Sequence, residues 1–151
     1  MVHFGIVGSS GAVGKLIFSL LKKNYKNCKI SLYGSSRSAN TYIEDHKIQL
    51  YDHNNEDLIH NCDIIFTAVD NPFSLKEIPK LLDKSKAYII DNSSAFRYYD
   101  DIPLVVPEIN ANTIQCNRLI SNPNCTTAIS ILPLSHIHNN YTLKKIIMSS
   151  Y

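Results

Sequence analysis

The sequence predicts an α/β protein in which a parallel β-sheet is flanked by helices. A short apolar strand runs into a glycine-rich turn, an amphipathic helix follows, and further apolar runs alternate with helical segments. Parallel strands in one sheet need crossovers, and these are right-handed. With 151 residues, 44% of them apolar, the chain is long enough for one domain and a fragment of a second.

The first crossover lies at the amino terminus. A strand is predicted over 3–7 and a helix over 12–23, followed by strands over 30–33 and 48–50. Apolar residues recur at helical spacing in the segment 12–23 and predict one buried face, formed by Val13, Leu16, Ile17, Leu20 and Leu21.

The second half of the chain contains two continuous apolar runs, DIIFTA at 63–68 and AYII at 87–90. Such runs are typical of parallel strands covered on both sides. A helix with Pro79 in its middle is predicted between them, over 74–83. A short strand over 119–121 and a helix from 126 to 132 follow, and Pro133 is expected to end or bend that helix. A last strand is predicted over 144–151.

Composition excludes several classes of protein. The net charge of +2 gives no support for binding to nucleic acid or to an acidic membrane surface. No run approaches the roughly 18 apolar residues of a membrane span, and the amino terminus lacks a signal-peptide pattern. A cytoplasmic protein is therefore expected. The four cysteines form no Cys-x-x-Cys pair, so we expect free thiols and predict no metal site.

Residues 8–14 read GSSGAVG, which places three glycines between the first strand and the first helix. Gly8 permits a tight turn, Gly11 lets the backbone approach a pyrophosphate, and Gly14 allows the helix to pack closely on the strand. Free N–H groups and the helix dipole then attract phosphates. This position predicts a Rossmann-type dinucleotide site, and a glycine-rich structural turn is the alternative.

The loop after the second strand bears on the choice of dinucleotide. An NAD site usually has an acidic residue there, but the chain reads YGSSRS over 33–38, and no carboxylate comes before Glu44. Arg37 supplies charge-assisted donors, and Ser36 and Ser38 supply hydroxyl groups, for a 2′-phosphate. This composition predicts NADP, with a solvated Ser/Arg loop as the alternative.

Two further segments carry candidate chemistry. In the turn 121–124 (SNPN), Asn124 is a candidate N-cap, which places Cys125 in the first turn of a helix. The helix dipole favours a thiolate nucleophile there, although a small buried cysteine is the alternative. The segment DNSSAFR (91–97) follows a buried strand, and its Arg97 can grip a phosphate or a carboxylate, with a surface arginine as the alternative.

Taken together, these segments resemble the N-terminal portion of the aspartate-β-semialdehyde dehydrogenase family. The matching segments are, in order, VGSSGAVG (7–14), Ser36-Arg37-Ser38, DNSSAFR (91–97), PLVVPEIN (103–110) and SNPNCTT (121–127). The resemblance implies a Rossmann-type NADP-binding domain over 1–122. It also implies the start of an α+β catalytic and dimerisation domain over 123–151, of which only the first helix and strand are in the chain.

The resemblance also implies roles for individual residues. Arg97 falls on the arginine that binds the substrate phosphate, Cys125 on the nucleophile, and Asn124 on a neighbour that helps to position the substrate. Ser10–Val13, Arg37 and Ser38 fall on the family's NADP contacts. With the residues from the motif argument, the predicted cofactor-binding residues are Gly8, Ser10, Gly11, Ala12, Val13, Gly14, Ser36, Arg37 and Ser38.

The implied reaction uses the Cys125 thiolate to displace phosphate from β-aspartyl phosphate. The thioester accepts hydride from NADPH, and aspartate semialdehyde leaves, so that one difficult reduction is divided into two easier steps. This reaction belongs to the synthesis of lysine, threonine and methionine. A homodimer or higher homo-oligomer is implied for the full-length enzyme.

The sequence departs from the family pattern in two respects. Val69–Phe73 stand where the family has small Gly and Ser residues near the cofactor. The family's acid/base histidine, its second substrate-binding arginine and most of its dimer interface belong to the second domain, and its glutamine follows the tyrosine matching Tyr151. We therefore expect the 151-residue chain alone to show no appreciable turnover.

Two alternatives remain open. One is a non-catalytic fragment that only binds NADP. The other is N-acetyl-glutamyl-phosphate reductase, whose nucleophile motif normally has glycine where this chain has Asn124.

Overall fold

The computed structural model describes residues 1–149 and shows a single sheet flanked by helices. The strands are, in chain order, β1 Val2–Val7, β2 Cys28–Gly34, β3 Tyr42–Ile43, β4 His46–Leu50, β5 Ile64–Thr67, β6 Tyr88–Asp91 and β7 Leu119–Ser121. The helices are α1 Ala12–Asn24, α2 Glu56–Asn61, α3 Asn71–Lys84, α4 Pro107–Asn110 and α5 Cys125–Tyr141.

The seven strands are ordered β3-β4-β2-β1-β5-β6-β7. Every pairing between these strands is parallel except that of β3 with β4, which is antiparallel. The strand order reverses beside β1, because β2 lies on one side of it and β5 on the other. In open α/β sheets, ligands bind at this reversal, outside the carboxyl ends of the strands. The predicted α/β class with a Rossmann-type parallel sheet is confirmed.

Side chains alternate between two cores, one on each face of the sheet. Phe4 and Ile6 of β1 pack beneath α1 with Phe18 and Leu21, whereas Val7 faces the larger core against α2 and α3. The larger core includes Leu58, Ile65, Ile78, Leu81 and Ile89, none of them more than 1% exposed. Period-two alternation of this kind is what a strand requires.

The predicted buried face of α1 is wrong in part. Helix α1 buries Gly14, Phe18 and Leu21, whereas Val13, Leu16 and Leu20 are 44%, 60% and 50% exposed. The spacing i, i+4, i+7 of the buried residues forms a stripe that packs on the sheet. Of the predicted residues, Leu21 is buried and Ile17 is half-buried against the same core, whereas Val13, Leu16 and Leu20 lie to the side of the buried stripe.

Prolines do not end the helices in which they occur. Helix α3 continues through Pro79, and α5 continues through Pro133 to Tyr141. Pro133 was predicted to end or bend its helix, and it does not end it. Both prolines lie on exposed sides of their helices, where water can solvate the carbonyl group that loses its partner.

The predicted strand over 144–151 does not form over 144–149, and Ser150 and Tyr151 lie outside the described residues. A strand needs a neighbouring edge, and no strand edge of the sheet reaches this segment. Residues 143–146 instead lie against α5 and line a groove of about 340 Å³ with it. Within residues 1–149 no helix is long and apolar enough to cross a membrane. The proposed division of the chain at residues 122 and 123 stays a prediction.

Candidate functional site

The glycine turn closes tightly over the carboxyl end of β1. Gly8 has a φ of +84°, and an added Cβ would lie 2.3 Å from the Ala68 carbonyl oxygen. A Cβ on Gly14 would lie 2.3 Å from the Gly8 carbonyl oxygen, so α1 packs directly on the turn. The Gly8 and Gly14 positions therefore require glycine for reasons internal to the chain.

Gly11 differs from these two glycines, because an added Cβ would meet only the Gly8 carbonyl oxygen, at an ordinary 3.4 Å. No packing within the described chain demands glycine there. The space beside Gly11 is open, as expected where a ligand approaches the backbone closely. This observation fits a dinucleotide pyrophosphate over the turn.

The amino terminus of α1 leaves N–H groups free for an anion. Its N-cap, Gly11, has no capping side chain, and its first turn has no acidic residue. The amides of Gly8 and Ser9 both donate to the Tyr33 carbonyl oxygen, and that of Gly11 donates to Gly8. Within residues 1–149, the amides of Ser10, Ala12 and Val13 have no backbone acceptor. These three N–H groups and the helix dipole favour a phosphate.

A cleft of about 510 Å³ joins the glycine turn to the loop after β2. Of the predicted cofactor residues, five line this cleft: Gly8, Ser10, Gly11, Ser36 and Arg37. Arg37 is exposed and has no carboxylate partner within residues 1–149. Its guanidinium is therefore available for a ligand phosphate.

The other predicted cofactor residues lie around the cleft. Ala12 begins α1, Gly14 is buried beneath the turn, and the Ser38 hydroxyl donates to the Ser35 carbonyl oxygen at 3.2 Å. Val13 lines a smaller cavity of about 190 Å³ together with Asn92 and Asn122. That cavity lies toward β6 and β7, the strands that carry the predicted substrate residues.

Some residues that line the cleft were not predicted as cofactor contacts. They are Val7, Gly34, Ser35, Leu50, Tyr51, Ala68, Val69, Asp70 and Phe73. The sequence departs from its family pattern at 69–73, but that departure alone predicts no role. The position of Tyr51 directly after a strand was a usable signal, because carboxyl ends of parallel strands share one edge of the sheet.

The DNSSAFR loop is held from below by a buried carboxylate. Asp91 is 0% exposed and accepts hydrogen bonds from the hydroxyl groups of Thr67 at 2.6 Å, of Ser74 at 3.0 Å and of Ser93. Asn71 of α3 binds the same loop from above through two hydrogen bonds with Ser94, of 2.7 and 2.9 Å. The loop after β5 and the loop after β6 are thereby joined.

Arg97 lies next to the turn that carries Cys125. Its Nε donates to the Asn122 carbonyl oxygen at 2.9 Å, and one Nη donates to the Asn92 carbonyl oxygen at 3.0 Å. The guanidinium is half-buried and held in a fixed orientation, with its second Nη left for a ligand. The sequence predicted Arg97 as a substrate-binding residue, but it did not predict the two carbonyl groups that orient the guanidinium.

Cys125 is the first residue of α5 and is exposed in the described chain. Asn124 is the N-cap, as predicted: its side-chain oxygen accepts from the Thr126 amide at 2.9 Å. Because the cap uses this oxygen, the Nδ2 of Asn124 is the atom left for a ligand. The thiol therefore lies at the open amino end of a 17-residue helix, and Arg97 is hydrogen-bonded to the turn that precedes this helix.

Comparison with known proteins identifies the family. Residues 3–116 match the family model described as "Semialdehyde dehydrogenase, NAD binding domain". The chain belongs to the semialdehyde dehydrogenase family. This is an oxidoreductase family, and the matched segment is its NAD(P)-binding domain.

Relatives and solved structures agree with this assignment. The aspartate-semialdehyde dehydrogenases of Synechocystis sp. and Bacillus subtilis are each 33% identical to this chain. Each match covers 99% of this chain, and 45% and 44%, respectively, of the relative's own length. The Vibrio cholerae aspartate semialdehyde dehydrogenase II complexed with ASA superposes with a TM-score of 0.78 at 28% identity, over 91% of this chain and 46% of that one. The Candida albicans aspartate semialdehyde dehydrogenase with NADP superposes with a TM-score of 0.79 at 24% identity, over 95% of this chain and 48% of that one. The chain thus spans about 45% of the length of the curated relatives it matches.

Proposed function

We propose that this semialdehyde dehydrogenase chain supplies the NADP-binding part and the nucleophilic cysteine of an aspartate-semialdehyde dehydrogenase. The reaction is the reductive dephosphorylation of β-aspartyl phosphate. The observation that carries the proposal is the placement of exposed Cys125 at the amino end of α5, with the Arg97 guanidinium bound to the preceding turn. The names of the relatives support the substrate.

The cofactor proposed is NADP. Ser10, Ala12 and Val13 offer N–H groups to the pyrophosphate, and Arg37 and Ser36 line the cleft where the ribose 2′-phosphate would lie. Because a guanidinium binds phosphate oxygens bidentately, Arg37 favours the phosphorylated ribose over the free hydroxyl groups. The bound cofactor would supply the hydride.

The protein groups have separate roles in the proposed reaction. The second Nη of Arg97 binds an anionic group of the substrate, and the Nδ2 of Asn124 helps to orient it. The Cys125 sulfur attacks the acyl carbon, the carbon–oxygen bond to phosphate breaks, and inorganic phosphate leaves. The thioester that remains on Cys125 is the group reduced to the aldehyde.

Acylation of Cys125 tests the proposal on the chain itself. After incubation with β-aspartyl phosphate, peptide mass spectrometry should find an aspartyl group on Cys125 that hydroxylamine removes. Cys116 is a matched control, because its thiol is also exposed but lies in the segment before β7, away from the site. Equal labelling of Cys116 and Cys125 would indicate unspecific acylation and contradict the proposal.

One observation favours the second candidate, a fragment that binds NADP without catalysis. The cofactor cleft is built entirely from residues before α5, whereas α5 buries none of its own residues. The two candidates predict different results: the fragment binds NADPH but leaves Cys125 unlabelled.

A further inference from the structure

The cleft at the glycine turn has an aromatic part that its phosphate-binding part does not need. Tyr51 follows β4 and Phe73 lies in the first turn of α3, which follows β5. In the sheet, β2 and β1 lie between β4 and β5. The two rings nevertheless meet across these strands, with centroids 4.9 Å apart and planes at 63°. They form an edge-to-face corner in the cleft that also contains Ser36 and Arg37.

Tyr51 is held at both of its ends. Its backbone N–H donates to the Gly34 carbonyl oxygen at 2.8 Å, which fixes it beside the loop after β2. Its hydroxyl group donates to Glu77 Oε2 at 3.4 Å, a weak contact to a side chain that is only 8% exposed. Glu77 is itself bound by Lys80 at 2.9 Å and by His53 at 3.0 Å. The position of the ring is therefore set before any ligand arrives.

The protonation states suit this arrangement. Burial, with the nearby Glu77 charge, raises the pKa of Tyr51, so its hydroxyl group stays a donor. Burial alone would raise the pKa of Glu77, but the hydrogen bond and charge of Lys80, with His53, outweigh it and hold the pKa below its usual value. Glu77 therefore stays a carboxylate acceptor.

The chemistry of a dinucleotide leaves one moiety for this corner. Phosphates belong at the amino terminus of α1, and a 2′-phosphate belongs at Arg37. The base attached to that ribose is flat and apolar on both faces. Leu50 and Val69 add apolar surface beside the two rings. Aromatic side chains bind bases through stacking and edge-to-face contacts.

We propose that Tyr51 and Phe73 form the wall on which the adenine base of the bound dinucleotide packs, so that they set the affinity for its adenosine half. This inference rests on the proposed cofactor. It assigns a role to the segment 69–73, where the sequence departs from its family pattern. Phe73 supplies a ring surface that a glycine or serine cannot.

Titration calorimetry with adenosine 2′,5′-bisphosphate tests the wall without the nicotinamide half. Phe73→Ala should weaken binding roughly tenfold, the size expected for loss of one base-stacking ring. Phe73→Leu keeps apolar volume but not the ring, so its affinity should lie between those of the wild type and Phe73→Ala. The matched control is Leu75→Ala, because Leu75 is 47% exposed on the same helix and does not line the cleft. It should bind like the wild type.

Tyr51→Phe separates the ring from its anchor. It should keep the affinity within about twofold, because the stacking surface remains, and should lower the melting temperature, because the bond to Glu77 is lost. Circular dichroism of each variant shows whether it is folded. If Phe73→Ala is not folded, Phe73→Leu replaces it in the binding test.

The outcomes separate the inference from the proposed cofactor. If the wild type binds adenosine 2′,5′-bisphosphate and Phe73→Ala and Phe73→Leu bind it equally well, the aromatic wall is wrong and the cofactor site stands. A Leu75→Ala loss as large as that of Phe73→Ala also overturns the wall. If the wild type binds neither this compound nor NADPH, both the wall and the proposed cofactor are wrong.

Discussion

At the scale of single residues, the glycine turn shows how different one residue type can be at three positions. Gly8 is needed for its backbone angle and Gly14 for close packing, whereas the chain itself makes no demand on Gly11. The sequence motif predicts these separate roles, and the positions of the neighbouring atoms agree with them.

Arg37 is predicted to discriminate between the two nicotinamide cofactors. Arg37→Ala removes an unpaired guanidinium from the cleft, so it should weaken NADPH by roughly tenfold to a hundredfold and NADH by about twofold or less. Fluorescence titration of both cofactors measures the ratio. Equal losses for NADPH and NADH would show that Arg37 does not contact the 2′-phosphate.

His3 is predicted to make the stability of the chain depend on pH. Its ring is buried, with Nδ1 2.7 Å from the Asn61 carbonyl oxygen and Nε2 2.8 Å from the Ser31 hydroxyl group. Burial holds the pKa of His3 below its ordinary value of 6.5. The unfolded chain therefore takes up the proton first as the pH falls.

The contribution of His3 is therefore fully present above about pH 6.5 and is lost as the pH falls toward the folded pKa. Urea unfolding between pH 8 and pH 5.5 should show a loss of unfolding free energy that is smaller in His3→Gln. His60→Gln, at an exposed position, should behave as the wild type. Parallel pH profiles for the wild type and His3→Gln would rule out this role.

At the scale of elements, Asp91 ties β6 to its surroundings. It accepts hydrogen bonds from β5, from α3 and from its own loop. Asp91→Ala leaves these hydroxyl groups without their acceptor, and we expect the free energy of unfolding to fall by about 2–4 kcal/mol. Urea denaturation measures this change. Asp83→Ala, at an exposed position, should change it by less than about 0.5 kcal/mol, and a similar loss in both variants would contradict the argument.

Much of the sheet could be predicted from sequence, because its central strands are apolar runs with little ambiguity. Three elements were missed, β3, α2 and α4: they have two, six and four residues, too few for a periodic pattern. The buried face of α1 was misassigned because apolar residues occupy two adjacent stripes, and only packing selects between them. The helix at Pro133 continues because its freed carbonyl group can reach water, which depends on exposure rather than on sequence.

The candidate site could likewise be predicted only in part from the sequence. The glycine turn, Arg37, Arg97 and Cys125 carry local patterns and were predicted from them. Tyr51 was not predicted, although its position directly after a strand was a usable signal. Its contact with the Phe73 ring joins two segments that are distant in sequence. Contacts between distant segments carry no local signal.

At the scale of the whole molecule, two of the helices expose apolar surface. Helix α5 buries none of its residues, and Ile129 and Ile137 are 74% and 41% exposed. On α1, Leu16 and Leu20 are also half or more exposed. Apolar surface of this extent is typical of faces that bind another protein surface.

We therefore predict that the 151-residue chain self-associates as its concentration rises. Sedimentation velocity should show a concentration-dependent shift in the wild type. The shift should be smaller in a variant with Ile129→Lys and Ile137→Lys, because charges oppose burial of that face. A double variant with Lys47→Glu and Lys86→Glu, both exposed and outside α1 and α5, is the control. A monodisperse wild-type monomer that melts cooperatively would contradict this prediction.

The glycine turn has one more consequence, which concerns amide hydrogen exchange. The amides of Gly8, Ser9 and Gly11 donate within the chain, whereas within residues 1–149 those of Ser10, Ala12 and Val13 have no backbone acceptor. In deuterated solvent the second set should exchange quickly, because exchange is slowed by hydrogen bonds that must first open. A bound pyrophosphate would occupy those amides and slow their exchange. Amide exchange over these few residues, some protected and some not, therefore reports whether a pyrophosphate is bound.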